Sequence, residues 1–288
     1  MLIVAGALVT SNDAGLSVPD WPTSFGSLYK IPPMVGGVKW EHGHRMFAEF
    51  IGLLIIVMAI WTQRVEQRKW MKALGWIALA AVVGQGVLGG LTVLFYLPWA
   101  ISTAHATLAQ TIFCAVVAMA LFTSKGWLQD SEAVSDHDLW PSTPALTAVT
   151  AGCVWIQLIL GAAFRHSGIK LLPHLVGACV VAAMICWTVV RVLAHYADVP
   201  QLRRPAQLLL ALLMLQLGLG FFAYVTRVQW GKDAVQPMLS MVLSTVTHVA
   251  GGALVLATSV VLAIQTRRMI QSHATELVMK STPRKAVA

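Results

Sequence analysis

The sequence predicts an all-α polytopic membrane protein, an eight-helix bundle of two pseudo-symmetric four-helix halves. Three observations carry that expectation. Of 288 residues, 57% are hydrophobic and only 11% charged, against about 25% charged in an ordinary soluble domain. A soluble globule could not cover so much apolar surface, and the composition equally excludes a disordered chain and a disulfide-stapled secreted domain. The apolar residues also fall in continuous runs of roughly 20, the length a helix needs to cross a bilayer. A membrane β-barrel would alternate apolar and polar residues instead. Finally, one motif recurs from run to run.

The apolar runs are 1–10, 43–62, 73–94, 101–124, 144–164, 171–191, 206–225 and 241–264. Seven are long enough to span. The first covers only about 15 Å of helix and is too short for a cleaved signal peptide with its own charged start. The first helix is therefore expected to be truncated at its N-terminal end. The segment 11–42 carries Pro19, Pro22, Pro32 and Pro33, so it is expected to be a turn-rich cap rather than another helix. The halves are expected at 1–125 and 144–288, the latter with a C-terminal tail.

Charge gives the orientation. The ends holding 63–72, 125–143, 191–205 and the tail carry 13 basic residues, and the opposite ends carry 7. The richer side is expected to be cytoplasmic, with 11–42 outside. The basic residues sit in loops and the tail, as orientation signals do, so the net charge of +8 does not point to nucleic acid. Cys114, Cys153, Cys179 and Cys186 all fall inside predicted helices and form no CxxC. Cys179 and Cys186 stand roughly 10 Å apart along one helix, too far to bridge, so the four read as small apolar fillers.

Gln-x-x-x-Gly occurs as Gln85/Gly89, Gln157/Gly161 and Gln216/Gly220. Each lies late in an odd-numbered helix, and a histidine follows early in the next: His105, His174 and His248. The first hairpin matches with Gly6 and His44, although Leu2 replaces the glutamine. One such motif alone means helix packing; three in register with histidines mark an internal repeat of four hairpins. A polar residue in a membrane helix is costly and faces the bundle interior or a cavity. Imidazoles from facing helices can hold a haem iron from both sides, whereas zinc would prefer a tetrahedral cluster. The competing reading of each histidine alone is an interfacial residue bonded to a neighbour. Small residues follow each: Ala48, Ala109, Gly177 with Ala178, and Gly251 with Gly252. They would give a flat macrocycle clearance, and close helix packing would use the same residues.

Glu41 precedes His44 by three residues, so the two share nearly one helix face. A carboxylate one turn from an axial ligand could handle protons or stabilise charge; the alternative is a first-turn carboxylate satisfying the helix dipole. Glu49 lies deeper, where a charge is expected to face protein or water, or to be protonated. Arg45, Arg165 and Arg227 lie at helix ends where they could pair with haem propionates or simply anchor the interface. His42 points away from His44. His137, His195 and His273 are expected in loops or the tail, and His166 in a loop beside Arg165.

The run Asn12-Asp13-Ala14-Gly15-Leu16-Ser17-Val18-Pro19-Asp20-Trp21-Pro22 resembles the first loop of haem A synthases, and Glu41-x-x-His44-Arg45 matches their motif at the start of the second helix. His105, His174 and His248 fall where that family's other histidines fall. The resemblance implies conversion of haem O to haem A for haem-copper terminal oxidases, by two hydroxylations of a ring methyl. It implies that His44 and His105 flank the substrate haem, that His174 and His248 ligate a haem b, and that Glu41 is the catalytic carboxylate. It further implies a multi-pass protein of the cell (inner) membrane, with haem O synthase and a haem-copper oxidase or its assembly factors as partners, and leaves a homo-oligomer open. The loop cysteine pair of many members is absent here. The residues by themselves support a membrane bis-histidine haem protein, so an electron-passing cytochrome b is the rival reading. A single-site haem carrier and a transporter with broken midplane helices fit the four repeated histidines less well.

Overall fold

The computed structural model describes residues 1–129, 134–135 and 140–271. The described residues are mostly helical, apart from the irregular segment 12–37. The helices are α1 (Leu2–Ser11), α2 (Val38–Val65), α3 (Lys69–Leu94), α4 (Trp99–Thr123), a single turn α5 (Lys125–Leu128), α6 (Thr143–Arg165), α7 (Leu171–His195), α8 (Pro200–Tyr224) and α9 (Leu239–Met269). Seven of them are long and apolar enough to cross a membrane, and α1 is a shorter apolar helix. Each predicted run lies in a helix, and most helices outrun their run because polar and basic residues continue the last turns. The turn α5 and a parallel pairing of Val134–Ser135 with Ile270–Gln271 were not expected from the sequence. His137, His273 and the tail beyond Gln271 lie outside the described residues.

Local chemistry sets the helix ends. Ser142 caps α6 by accepting from the Ala145 amide at 3.4 Å, and Pro144 sits in the first turn, where no helical donor is needed. Pro200 opens α8 in the same way. Between α2 and α3, Glu66 accepts from the Gln67 and Arg68 amides and pairs with the Arg68 guanidinium at 2.6 Å. Those bonds from Arg68 hold the Glu66 carboxyl down to about 2. Arg68 also donates to the Phe122 carbonyl at 3.0 Å, tying this turn to the end of α4.

Consecutive helices pack side by side: α1 on α2, α2 on α3, α3 on α4, α6 on α7, α7 on α8 and α8 on α9, with α9 closing onto α6. The two groups meet where α1 packs on α9, α4 on α6 and α4 on α9. The main core lies among α6–α9, around Ile185, Leu202, Leu209 and Leu256, with Cys114 of α4 entering from the side. α9 is the most buried span. Between membrane helices, packing and interhelical hydrogen bonds replace the hydrophobic drive. Buried hydroxyl pairs do this here: Thr147–Thr266, Thr150–Thr188 and Thr226–Ser244 are each 2.7 Å apart.

One expectation changes. The cysteines are all free, but only Cys114 is buried; Cys179 and Cys186 are exposed on α7 and do not serve as buried fillers in this chain. Glu49 is exposed on α2.

Candidate haem site

The repeat read from the sequence is a repeated contact. Each motif glycine lies beneath the histidine of the next spanning helix. A Cβ would stand 3.2 Å from His44 Cε1 at Gly6, 3.0 Å from His105 Cε1 at Gly89, 2.9 Å from His174 Cε1 at Gly161 and 2.9 Å from His248 Cε1 at Gly220. Each imidazole therefore occupies the room that a side chain would take. The motif glutamines act on the same residues. Gln85, Gln157 and Gln216 donate to the backbone carbonyls of His105, His174 and His248 at 3.0, 2.8 and 3.0 Å. Gln157 Nε2 is also 3.0 Å from His174 Nδ1. Gly177 and Gly251 give clearance to these glutamines, not to a macrocycle: a Cβ there would meet Gln157 Oε1 at 2.1 Å and Gln216 Oε1 at 2.4 Å.

His174 and His248 face each other, with ring centroids 6.3 Å apart and planes at 89°. One metal ion with two nitrogen bonds of about 2 Å spans that gap once the depth of two rings is added. His44 and His105 lie within electrostatic reach of one another. The Nδ1 atoms of His44, His105 and His248 are buried without hydrogen-bond partners. Among the described residues no group of three or more His, Cys, Asp or Glu gathers. Paired imidazoles with uncommitted nitrogens suit a metal whose other ligands come from a macrocycle, so the residues present fit a haem.

The segment before α2 packs on α3 and on the first turns of α2, next to the residues that carry the first pair. Trp21 packs on Gly90 of α3, where a Cβ would stand 2.3 Å from the ring, and Ser17 packs on Gly37 at the head of α2. Ala14 and Val18 are buried. Glu41, 3% exposed, accepts from the Val18 amide at 2.7 Å with one oxygen and from Arg45 at 2.7 Å with the other. Arg45 further donates to the carbonyls of Asp20, Thr23 and Val18 at 2.7, 3.0 and 3.2 Å. Asp20 in turn accepts from Thr23 and from the Phe25 and Gly26 amides. Burial pushes its carboxyl up, and those hydrogen bonds outweigh it and leave it below the ordinary value. His42 bonds Ser24 at 3.1 Å, away from His44.

The other arginines reach across the molecule. Arg165 donates to Ser11 Oγ at 2.7 Å, and Ser11 bonds Thr245. Arg227 pairs with Asp13 at 3.7 Å, and its Nη1 is buried without a partner. It lies in a π-helical turn, Val225–Trp230, that extends α8. A cavity of about 270 Å³ opens there, lined by Asp13, Arg227, Lys232 and Met241 among others. His166 ends α6 and is half-buried. Burial, with Arg165 and His105 nearby, pushes its imidazole down to about 4, so it is neutral at pH 7. His195 is the exposed last residue of α7. Sequence reasoning missed the π turn, the glutamine-to-carbonyl bonds and the place of His166. Only the last had a signal: it stands five residues after Gly161, as Ser11 does after Gly6.

Residues 37–172 match the COX15-CtaA family of cytochrome oxidase assembly proteins. The chain is 29% identical over 123 residues to the haem A synthase of Alkalihalophilus pseudofirmus, covering 42% of this chain and 41% of that protein. It is 31% identical over 119 residues to that of Shouchella clausii (41% and 39%), and 30% identical over 127 residues to that of Dinoroseobacter shibae (40% and 32%). The matched stretch thus spans about two fifths or less of the length of these relatives. No solved structure matches the chain. Glu41-x-x-His44-Arg45 lies inside the matched residues: through 37–172 the chain is similar to the COX15-CtaA family of cytochrome oxidase assembly proteins, and over about two fifths of its length it is similar to haem A synthases.

Proposed function

We propose that this protein is a haem A synthase, oxidising a ring methyl of haem O to a formyl group by two successive hydroxylations, for haem-copper oxidases. The observation that carries the reading is the fourfold seating of a histidine on a motif glycine, with one pair of rings set one metal ion apart. His44 and His105 hold the substrate haem in a first four-helix half, residues 1–125. His174 and His248 hold a haem b in a second, residues 144–288. A bound haem b supplies one-electron chemistry. The chain's own residues hold the two irons, fix three of the four histidines through the motif glutamines, and cover the first pair with the 12–37 segment. Arg45, Arg165 and Arg227 stand at the histidine-bearing ends of the bundle, the ends where propionates would lie. Of the three, Arg227 keeps an unpartnered buried nitrogen for that role, while Arg45 is engaged by the loop. The histidine-bearing ends face outward from the cell (inner) membrane and the C-terminus is cytoplasmic, as the basic residues suggest. Haem O synthase supplies the substrate, and an oxidase or its assembly factor takes the product.

Glu41 is the carboxylate assigned to chemistry. A second reading, a cytochrome b that only passes electrons, is favoured by one fact: both Glu41 oxygens are engaged in holding the loop and Arg45. The two are separated by expressing the chain with a haem O source and extracting its haems for mass analysis. Haem A or its hydroxylated intermediate in the parent, and only haem O and haem b in Glu41→Gln, is the expected result. Unchanged product in Glu41→Gln removes the catalytic role. Haem b with unaltered haem O in the parent leaves the cytochrome.

A further inference from the structure

Of the contacts that join the helix groups, the seams of α1 against α9 and of α4 against α6 are repeats of each other in register. Ser11 stands five residues after Gly6, and His166 five after Gly161; Thr245 stands three before His248, and Ser102 three before His105. At the first seam Ser11 and Thr245 are buried and hydrogen-bond at 2.9 Å. At the second the corresponding residues are His166 and Ser102. Trp99, one turn before Ser102, packs on Gly168, two residues past His166, so closely that a Cβ there would stand 2.3 Å from the ring. The start of α4 and the turn after α6 are thus held together. Yet Ser102, 3% exposed, has an Oγ with no hydrogen-bond partner. A buried hydroxyl left unpaired is costly. Ser102 shares a helix face with His105, and His166 lies within electrostatic reach of the same ring. Its neighbour Arg165 turns the other way, to Ser11 and toward His248.

We propose that His166 and Ser102 together receive one carboxylate of the macrocycle held between His44 and His105, so that α6 lends a specificity residue to a site otherwise built from the first helices. The inference rests on the bis-histidine haem reading. A neutral imidazole and a hydroxyl each offer one donor, and a carboxylate accepts both. Bonds to an ionised acceptor are roughly twice as strong as those to a neutral one, so the site discriminates a free acid from its ester.

The test titrates the purified full chain with iron protoporphyrin IX and, separately, with its dimethyl ester. Retention of the haem spectrum due to His174 and His248 in every variant serves as the folding control. His166→Leu and Ser102→Ala are expected to weaken free-acid binding at His44/His105 about tenfold to a hundredfold and to leave ester binding unchanged. His166→Gln, which keeps a donor, is expected to recover most of the loss. Equal weakening of acid and ester, or no weakening of either, overturns the proposal. If His44→Ala changes no part of the parent's haem spectrum, the bis-histidine reading of that pair fails, and the proposal falls with it.

Discussion

At the scale of single residues, the site depends on side chains that are missing. Gly161→Ala would place a methyl 2.9 Å from His174 Cε1, closer than carbon atoms approach, so the ring must swing away from the place where Gln157 holds it. The expected outcome is loss of the haem spectrum assigned to His174 and His248, read by absorption. Gly84→Ala, on α3 with open space at its Cβ, should leave every spectrum unchanged. Arg45→Lys tests the loop clamp. A lysine is a point charge and cannot fork to Glu41 and three carbonyls at once. The loop should lose about 1–2 kcal/mol, seen as faster amide hydrogen exchange over residues 18–26. The glycine–histidine pairs were legible in the sequence because both partners keep fixed places within a repeat. The engagement of Glu41 was not, because its partner is the amide of Val18, 23 residues away along an irregular segment, and no side-chain pattern encodes a backbone donor.

At the scale of elements, the spanning helices were legible from apolar run length alone, since that length is imposed by the bilayer and not by the neighbours. The ends were less so. α9 runs to Met269 and α7 to His195, several residues past their apolar runs, because nothing in those polar turns breaks a helix. The π turn carrying Arg227 packs against α9, a contact that local sequence does not reveal. Hydroxyl pairs belong to this scale too. A double-mutant cycle on Thr150→Val and Thr188→Val should give a coupling of about 0.6 kcal/mol and no more than about 1.7, measured by unfolding in mixed micelles. The α2–α3 turn gives a pH test. Glu66 ionises near 2 in the folded chain against an ordinary 4.5, so the unfolded chain takes up the proton first as pH falls. The stability it contributes is complete above about 4.5 and is lost toward about 2. Glu66→Gln should remove that part of the acid dependence, checked by unfolding midpoints at neutral pH and near pH 3.

At the scale of the whole molecule, burial is uneven. Leu209 is fully buried in the α6–α9 core, while Leu53 on α2 is 58% exposed. Leu209→Ala should cost about 2–5 kcal/mol and Leu53→Ala no more than about 0.5, compared by thermal unfolding of the two variants. The sequence predicted a repeat but not this imbalance, because the duplicated motifs mark histidines, and the core is filled by residues outside them. The central place of α9, which touches α1, α4, α6 and α8, also bears on how the protein is made. α1 leaves the ribosome roughly 230 residues ahead of α9, which at about 5–20 residues per second is a delay of about ten to forty-five seconds. Through that interval the α1 seam stays unfilled, and by its end the helices carrying His105 and His174 have been made while α9 is still missing. Insertion of α9 therefore ends a waiting period in which the nascent chain is open to lipid, to proteases and to any chaperone that recognises unpaired membrane helices.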